Sequence, residues 1–134
     1  MSAMVKVGHI GIAVKDIEAS QRFFTEVLGL RIDGREVTDS LKIVFMHVGE
    51  TEVELLEPAG QGSAIAKFLE TRGEGLHHIA FAVDDVPAAL AKAKSAGYTL
   101  IDEKPRDGAG GMKVAFVHPK GNSGVLVEFV QKAH

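Results

Sequence analysis

Short runs of apolar residues alternate with small or polar ones along the chain, and two of these runs are near copies of each other. The stretch GHIGIAVKD at positions 8–16 returns as HHIAFAVDD at positions 77–85, an offset of 69 residues with five of nine positions identical. Each copy has the period of two that marks a strand, and each ends on an aspartate, Asp16 or Asp85, able to cap a following helix. The spacing then predicts helices over 17–28 and 86–96, stopped by Gly29 and Gly97. In the first of them Phe23, Phe24 and Val27 are expected to face the core. Three strands should follow each helix: 31–37, 41–48 and 51–57 in one half, 99–104, 112–118 and 124–130 in the other. Gly49-Glu50 reads as a hairpin turn, residues 58–63 as a loop, and 64–71 as a linking helix. The Gly-rich segment 106–111 precedes a strand and lacks the lysine and hydroxyl of a phosphate-binding loop, so it is expected to be a mobile flap.

This order predicts an α+β fold of two βαβββ modules, at about 5–58 and 75–131, joined by a linker at 59–74 within one domain, 1–134. Neither curved sheet can bury both of its faces alone, and pairing the modules edge to edge into one mixed sheet would enclose a cleft.

Composition narrows the chemistry. At 134 residues with a hydrophobic fraction of 46%, the chain can fill one core and needs no second domain. Fifteen basic against 18 acidic residues give a formal charge of -3, which argues against a nucleic-acid partner. No cysteine is present, so disulfides, thiolate metal sites and thiol nucleophiles are excluded, and any metal must sit on nitrogen and oxygen donors. No apolar run approaches the ~20 residues that span a bilayer, and no basic-then-apolar leader is seen, so a cytoplasmic location without membrane contact is expected.

Within that frame the strand residues of interest are polar ones in equivalent phase. His9 shares a face with Val7, Gly11 and Ala13, opposite Ile10, Ile12 and Val14; His78 shares a face with Ala80 and Ala82, opposite Ile79, Phe81 and Val83. Small neighbours leave room for a ligand. In the last strand of each half, Glu54 and Glu128 alternate with bulky aliphatic or aromatic residues, where a carboxylate is costly unless paired or metal-bound. Two histidines and two glutamates at matching places suit a six-coordinate divalent cation with two positions open. His77 points away from that set. His47, His118 and His134 have no counterpart in the repeat, with His118 a candidate to line the cleft.

These residues resemble the vicinal oxygen chelate superfamily, which includes glyoxalase I, extradiol dioxygenases, fosfomycin-resistance proteins and methylmalonyl-CoA epimerases. The segments VGHIGIAVKDIEASQRFFTEVLGL, VGETEVELLEP, SAIAKFLETRGEGLHHIAFAVDD and FVHPKGNSGVLVEF are most similar to the epimerases. By that resemblance His9, Glu54, His78 and Glu128 are the metal ligands, although some members carry glutamine at the position of Glu54. The metal would be divalent, cobalt first, with nickel, manganese, magnesium or zinc as alternatives. The resemblance further implies an acyl-CoA substrate, a homodimer, and proton transfer at C2 of methylmalonyl-CoA through a stabilised enolate. Glu36 and Glu128 would then be the catalytic acid/base pair. Because the loop at 38–40 is about two residues shorter than the usual pattern, the match of Glu36 to the family's catalytic glutamate is the loosest of these. The rival expectations are a glyoxalase I-type lyase acting on a glutathione hemithioacetal, and a metal-free, ligand-sequestering protein of the bleomycin-resistance type.

Overall fold

The structure is a computed structural model that describes the backbone of residues 4–131 and the side chains of residues 6–131; His134 lies outside them. The chain forms two compact units, His9–His77, here the N-terminal unit, and a C-terminal unit made of the described residues from His78 onward together with those up to Gly8. Strand β1 (Met4–Ala13) therefore serves both, as does β5 (Gly75–Val83).

In the N-terminal unit, β1 leads into helix α1 (Ile17–Arg22), whose N-cap Asp16 accepts from the Ala19 N–H at 3.4 Å. Strands β2 (Ile32–Val37), β3 (Leu41–Val48) and β4 (Thr51–Pro58) follow, and the sheet order is β2-β3-β4-β1. The two hairpin pairs are antiparallel, whereas β4 and β1 run parallel with Gly11 beside Glu54 and Ala13 beside Leu56. One extra residue, Asp33, bulges from β2 where the register shifts between Ile32 and Gly34. Val44, Met46, Val53 and Leu55 project from the helix-covered face and close a core with Val14 and Ile17. Helix α2 (Ala64–Arg72), capped by Ser63, completes the unit and ends at Gly73, whose φ of 78° a β-carbon would strain.

Two expectations for the first helix fail. Counting i+3, i+4 and i+7 from buried Ile17 gives Ser20, Gln21 and Phe24, so Phe23 and Val27 fall off the core stripe and are 55% and 68% exposed. The helix also widens into a π turn over Phe23–Val27, closed by the Leu28 N–H on the Phe23 carbonyl at 3.3 Å. That wider turn carries Leu28 outward, leaving Phe24 and Leu30 as the aromatic and aliphatic contacts to the core.

The C-terminal unit repeats the plan. After β5 comes helix α3 (Val86–Ser95), N-capped by Asp85 on the Ala88 N–H at 3.0 Å, with Pro87 in its first turn. Strands β6 (Arg106–Asp107), β7 (Lys113–Val117) and β8 (Val127–Gln131) give the order β5-β8-β7-β6, with β5 and β8 parallel. Val83, Val86, Leu90 and Ala115 form the core under α3.

The strand expected at 99–104 is absent. Only Leu100 bridges to Val117, because the Asp102 carboxylate takes the Phe116 N–H at 2.8 Å and occupies the place of a ladder carbonyl, and Pro105 has no N–H to offer. Strand β6 forms instead inside the segment expected to be a flap, and after it the chain turns through Gly110, whose φ is 69°.

Candidate metal centre

Four strand residues are the candidates, and each unit supplies an equivalent pair. In the N-terminal unit His9 sits on β1 and Glu54 on β4, with Nδ1 of His9 3.2 Å from Oε2 of Glu54. In the C-terminal unit His78 sits on β5 and Glu128 on β8, with Nε2 of His78 3.0 Å from Oε1 of Glu128. All four are buried, at 7%, 7%, 6% and 5% exposure, and they are the buried polar or charged side chains of the described residues. Parallel strand pairing explains the match. Gly11 lies beside Glu54 and Ala80 beside Glu128, so each histidine is two residues upstream of the glutamate's neighbour, on the same face. Ala80 is itself fully buried, and the Phe116 ring meets His78 edge-on at 5.5 Å, fixing that imidazole from the side.

The donor set fits a divalent cation. Each of His9, His78 and Glu128 offers a nitrogen or oxygen ligand atom from a buried position, and no sulfur is present. Bonds of about 2.1 Å at right angles put neighbouring ligand atoms about 3 Å apart, which is the His–Glu spacing in both units. The same spacing suits a charged hydrogen bond between imidazolium and carboxylate, and metal titration separates the two.

A feature that the residue pattern did not single out lies three positions beyond each glutamate. Oε1 of Glu57 accepts the Ile17 N–H at 2.9 Å, and Oε1 of Gln131 accepts the Val86 N–H at 2.7 Å. Odd spacing turns these side chains to the helix face while Glu54 and Glu128 face the other way. In each half, then, one strand holds a candidate ligand on one face and pins the first free N–H of its helix from the other. The signal was present in the sequence as a second i, i+3 repeat, but Glu against Gln hid it.

The remaining candidates are more scattered. Glu36 on β2 is half-buried and pairs across the ladder with Ile43, which pairs with Leu56. This puts Glu36 on the face of His9 and Glu54, in a different rung. His118, offered as a cleft residue, is instead exposed, and its Nδ1 accepts the Lys120 N–H at 2.9 Å in the turn after β7. His77 is half-buried with its ring 5.0 Å from that of Phe68 in the N-terminal unit. His47, passed over for want of a repeat partner, contacts Asp33 through Nδ1 and lies 3.6 Å from Glu52 through Nε2.

Known proteins resemble the chain along nearly its whole length. Residues 8–116 match the Glyoxalase/Bleomycin resistance protein/Dioxygenase superfamily. An ethylmalonyl-CoA/methylmalonyl-CoA epimerase of Cereibacter sphaeroides is 38% identical over 130 residues, covering 94% of this chain and 97% of that one. Among solved structures, a hypothetical protein of Bacillus halodurans is 42% identical with a TM-score of 0.93, covering 96% of this chain and 95% of its own. A methylmalonyl-CoA epimerase in complex with methylmalonyl-CoA and ammonium is 34% identical with a TM-score of 0.92, covering 98% and 96%. By fold, by strand-borne His–Glu pairs and by similarity across almost all of both chains, the protein belongs to the Glyoxalase/Bleomycin resistance protein/Dioxygenase superfamily and, within it, to the methylmalonyl-CoA epimerase family.

Proposed function

We propose that the chain interconverts the epimers of methylmalonyl-CoA by removing the proton at C2 from one side and returning a proton on the other. The observation that carries this reading is the duplicated buried His–Glu pair, one in each unit, in a chain of this family. His9, Glu54, His78 and Glu128 would together hold one divalent cation within a single domain, cobalt being the first candidate. Such a cation supplies electrostatic stabilisation of the negative charge that develops on the thioester oxygen when the α-proton leaves.

The residues supply position and protons. Burial of the four side chains excludes water, and their rigid strands fix the substrate oxygens relative to the α-carbon. Two proton-transfer groups must lie on opposite sides of that carbon. Glu128 is proposed for one, its carboxylate held by His78 at 3.0 Å. For the other the resemblance offers Glu36, which shares the Glu54 face and is in part open to solvent. A Glu36→Gln variant that keeps metal stoichiometry and loses turnover would support that role; normal turnover would remove it.

No helix of the described residues is long and apolar enough to cross a membrane. A cytoplasmic homodimer completes the proposal, checked by light scattering at two protein concentrations. The deciding experiment incubates metal-loaded protein with one epimer of methylmalonyl-CoA in deuterated water. Appearance of label at C2 with loss of the starting configuration is expected. Absence of label, alongside a lactoyl thioester formed from a glutathione hemithioacetal, would make the protein a glyoxalase I-type lyase instead.

A further inference from the structure

The repeat that supplies two His–Glu pairs also supplies two grooves, each between a helix and the segment that follows it. Under the 69-residue offset, Glu18 and Gln21 of α1 answer to Pro87 and Leu90 of α3. Beyond the helices the offset is 68, because the π turn of the N-terminal unit takes up one extra residue; Gly29 and Gly97, at φ of 71° and 95°, mark the common stop. Ile32 then matches Leu100, each packed on the core of its own unit, and Arg35 matches Glu103. In the N-terminal unit the groove is bridged: the Arg35 guanidinium donates to Oε1 of Gln21 at 3.3 Å and lies 3.6 Å from Oε1 of Glu18. Proline and leucine stand at those two places on α3, so Glu103 finds no such bridge and pairs with Lys94, one turn beyond Leu90, at 3.1 Å. The groove of the C-terminal unit is left open. Its volume of about 720 Å³ falls inside the range of about 300–1,000 Å³ that small-molecule sites occupy.

We propose that this groove binds a carboxylate monoanion with an apolar tail, of the medium-chain alkanoate class. Its helix wall is Pro87, Leu90, Ala91 and Lys94, an i, i+3, i+4, i+7 stripe of α3 about 10 Å long. Leu100 and Pro105 stand across from it, and Gln131 lines the β8 side with Lys113 as its cross-strand neighbour. Leu90, 3% exposed, and Leu100 also pack on the core beneath, so an entering tail extends an apolar surface already formed. Charge selects the head group. Of the three lysines that line the groove, Lys94 is answered by Glu103 and Lys113 by Asp107, whereas Lys104 has no partner among the described residues. One unanswered cation beside an apolar trough fits one carboxylate; a phosphate dianion would keep a charge unpaired. The groove lies on the helix side of its sheet. Gln131 faces it and accepts the Val86 N–H at 2.7 Å, while Glu128, three positions earlier on β8, faces the other way with His78. The ligand therefore binds apart from the candidate metal ligands of its own unit.

The test titrates full-length protein with octanoate by calorimetry, with and without added divalent metal. Saturation at one equivalent per chain, with the same affinity in both conditions, is expected. Lys104→Gln should weaken binding on the order of 10-fold or more, and octylamine, with the same tail and the opposite charge, should not bind. Ala91→Phe, a change on the exposed flank of α3, should fill the groove and abolish binding with the melting temperature unchanged. No saturable binding of octanoate, equal binding of octylamine, or wild-type affinity in either variant overturns the proposal. Affinity that depends on metal would place octanoate at the His–Glu centre, and displacement of octanoate by free coenzyme A would make the groove a phosphate site; each overturns it too. Because no turnover is measured, the epimerase reading stands or falls separately.

Discussion

Glu54 answers two demands that pull against each other. A carboxylate at 7% exposure is costly to bury, yet the side chain sits beside an imidazole at 3.2 Å, with Gly11 and Phe45 as its cross-strand neighbours. The proposed cation would resolve the conflict, and the neutral donor oxygen of an amide would serve in part. We therefore expect Glu54→Gln to retain metal binding and Glu54→Ala to weaken it by about 10-fold or more, as measured by calorimetric titration. Equal affinity in the alanine variant would show that Glu54 is no ligand. In the second unit, Ala80→Val would place two methyl carbons in the fully buried position next to Glu128. Loss of metal affinity with a smaller change in melting temperature is the expected result.

At the scale of elements, the helix-pinning oxygens of Glu57 and Gln131 explain how parallel strands keep their register without a hairpin to set it. The Val14 N–H on the Leu56 carbonyl at 2.9 Å and the Ile17 N–H on Glu57 tie the end of β1 and the start of α1 to β4. Glu57→Ala should cost about 1–2 kcal/mol in urea unfolding, the usual worth of a side-chain oxygen at a helix start. Glu57→Gln should recover most of it, since Gln131 does the same work with an amide. The accompanying Lys42–Glu57 pair at 3.4 Å, half open to water on the lysine side, adds little. Around β6 and β7 the limit is space. A β-carbon on Gly108 would lie 2.6 Å from Cγ1 of Val114, so Gly108→Ala should destabilise by about 1–3 kcal/mol. A Gly108→Ala, Val114→Ala double variant that regains part of the loss would confirm the clash as its cause.

For the whole molecule, the proposal of one shared ion has a stoichiometric consequence. If the two His–Glu pairs serve a single cation, titration should saturate at one equivalent per chain, and two equivalents would refute sharing. Ligand that binds only the folded chain stabilises it by about 2.7 kcal/mol at 100 times Kd, so the melting temperature should rise with added metal and fall again with a chelator. Both His–Glu partners should contribute: His9→Ala and His78→Ala are each expected to abolish the thermal shift.

Much of this was legible in the residues. The duplicated GHIGIAVKD and HHIAFAVDD stretches, their Asp caps and the period of two located β1, β5, α1 and α3, and the phase of His9, His78, Glu54 and Glu128 placed them on equivalent faces, because alternation and capping are local and repeat faithfully. Tertiary structure alone decided what depends on partners far along the chain. Asp102 replaced a strand's ladder bond at Phe116, a π turn carried Leu28 out of the core, and the bulge at Asp33 brought a carboxylate to His47. The physical reason is common to all three: each outcome turns on which of several competing groups takes one hydrogen bond or one place in the core, and periodicity carries no record of that competition.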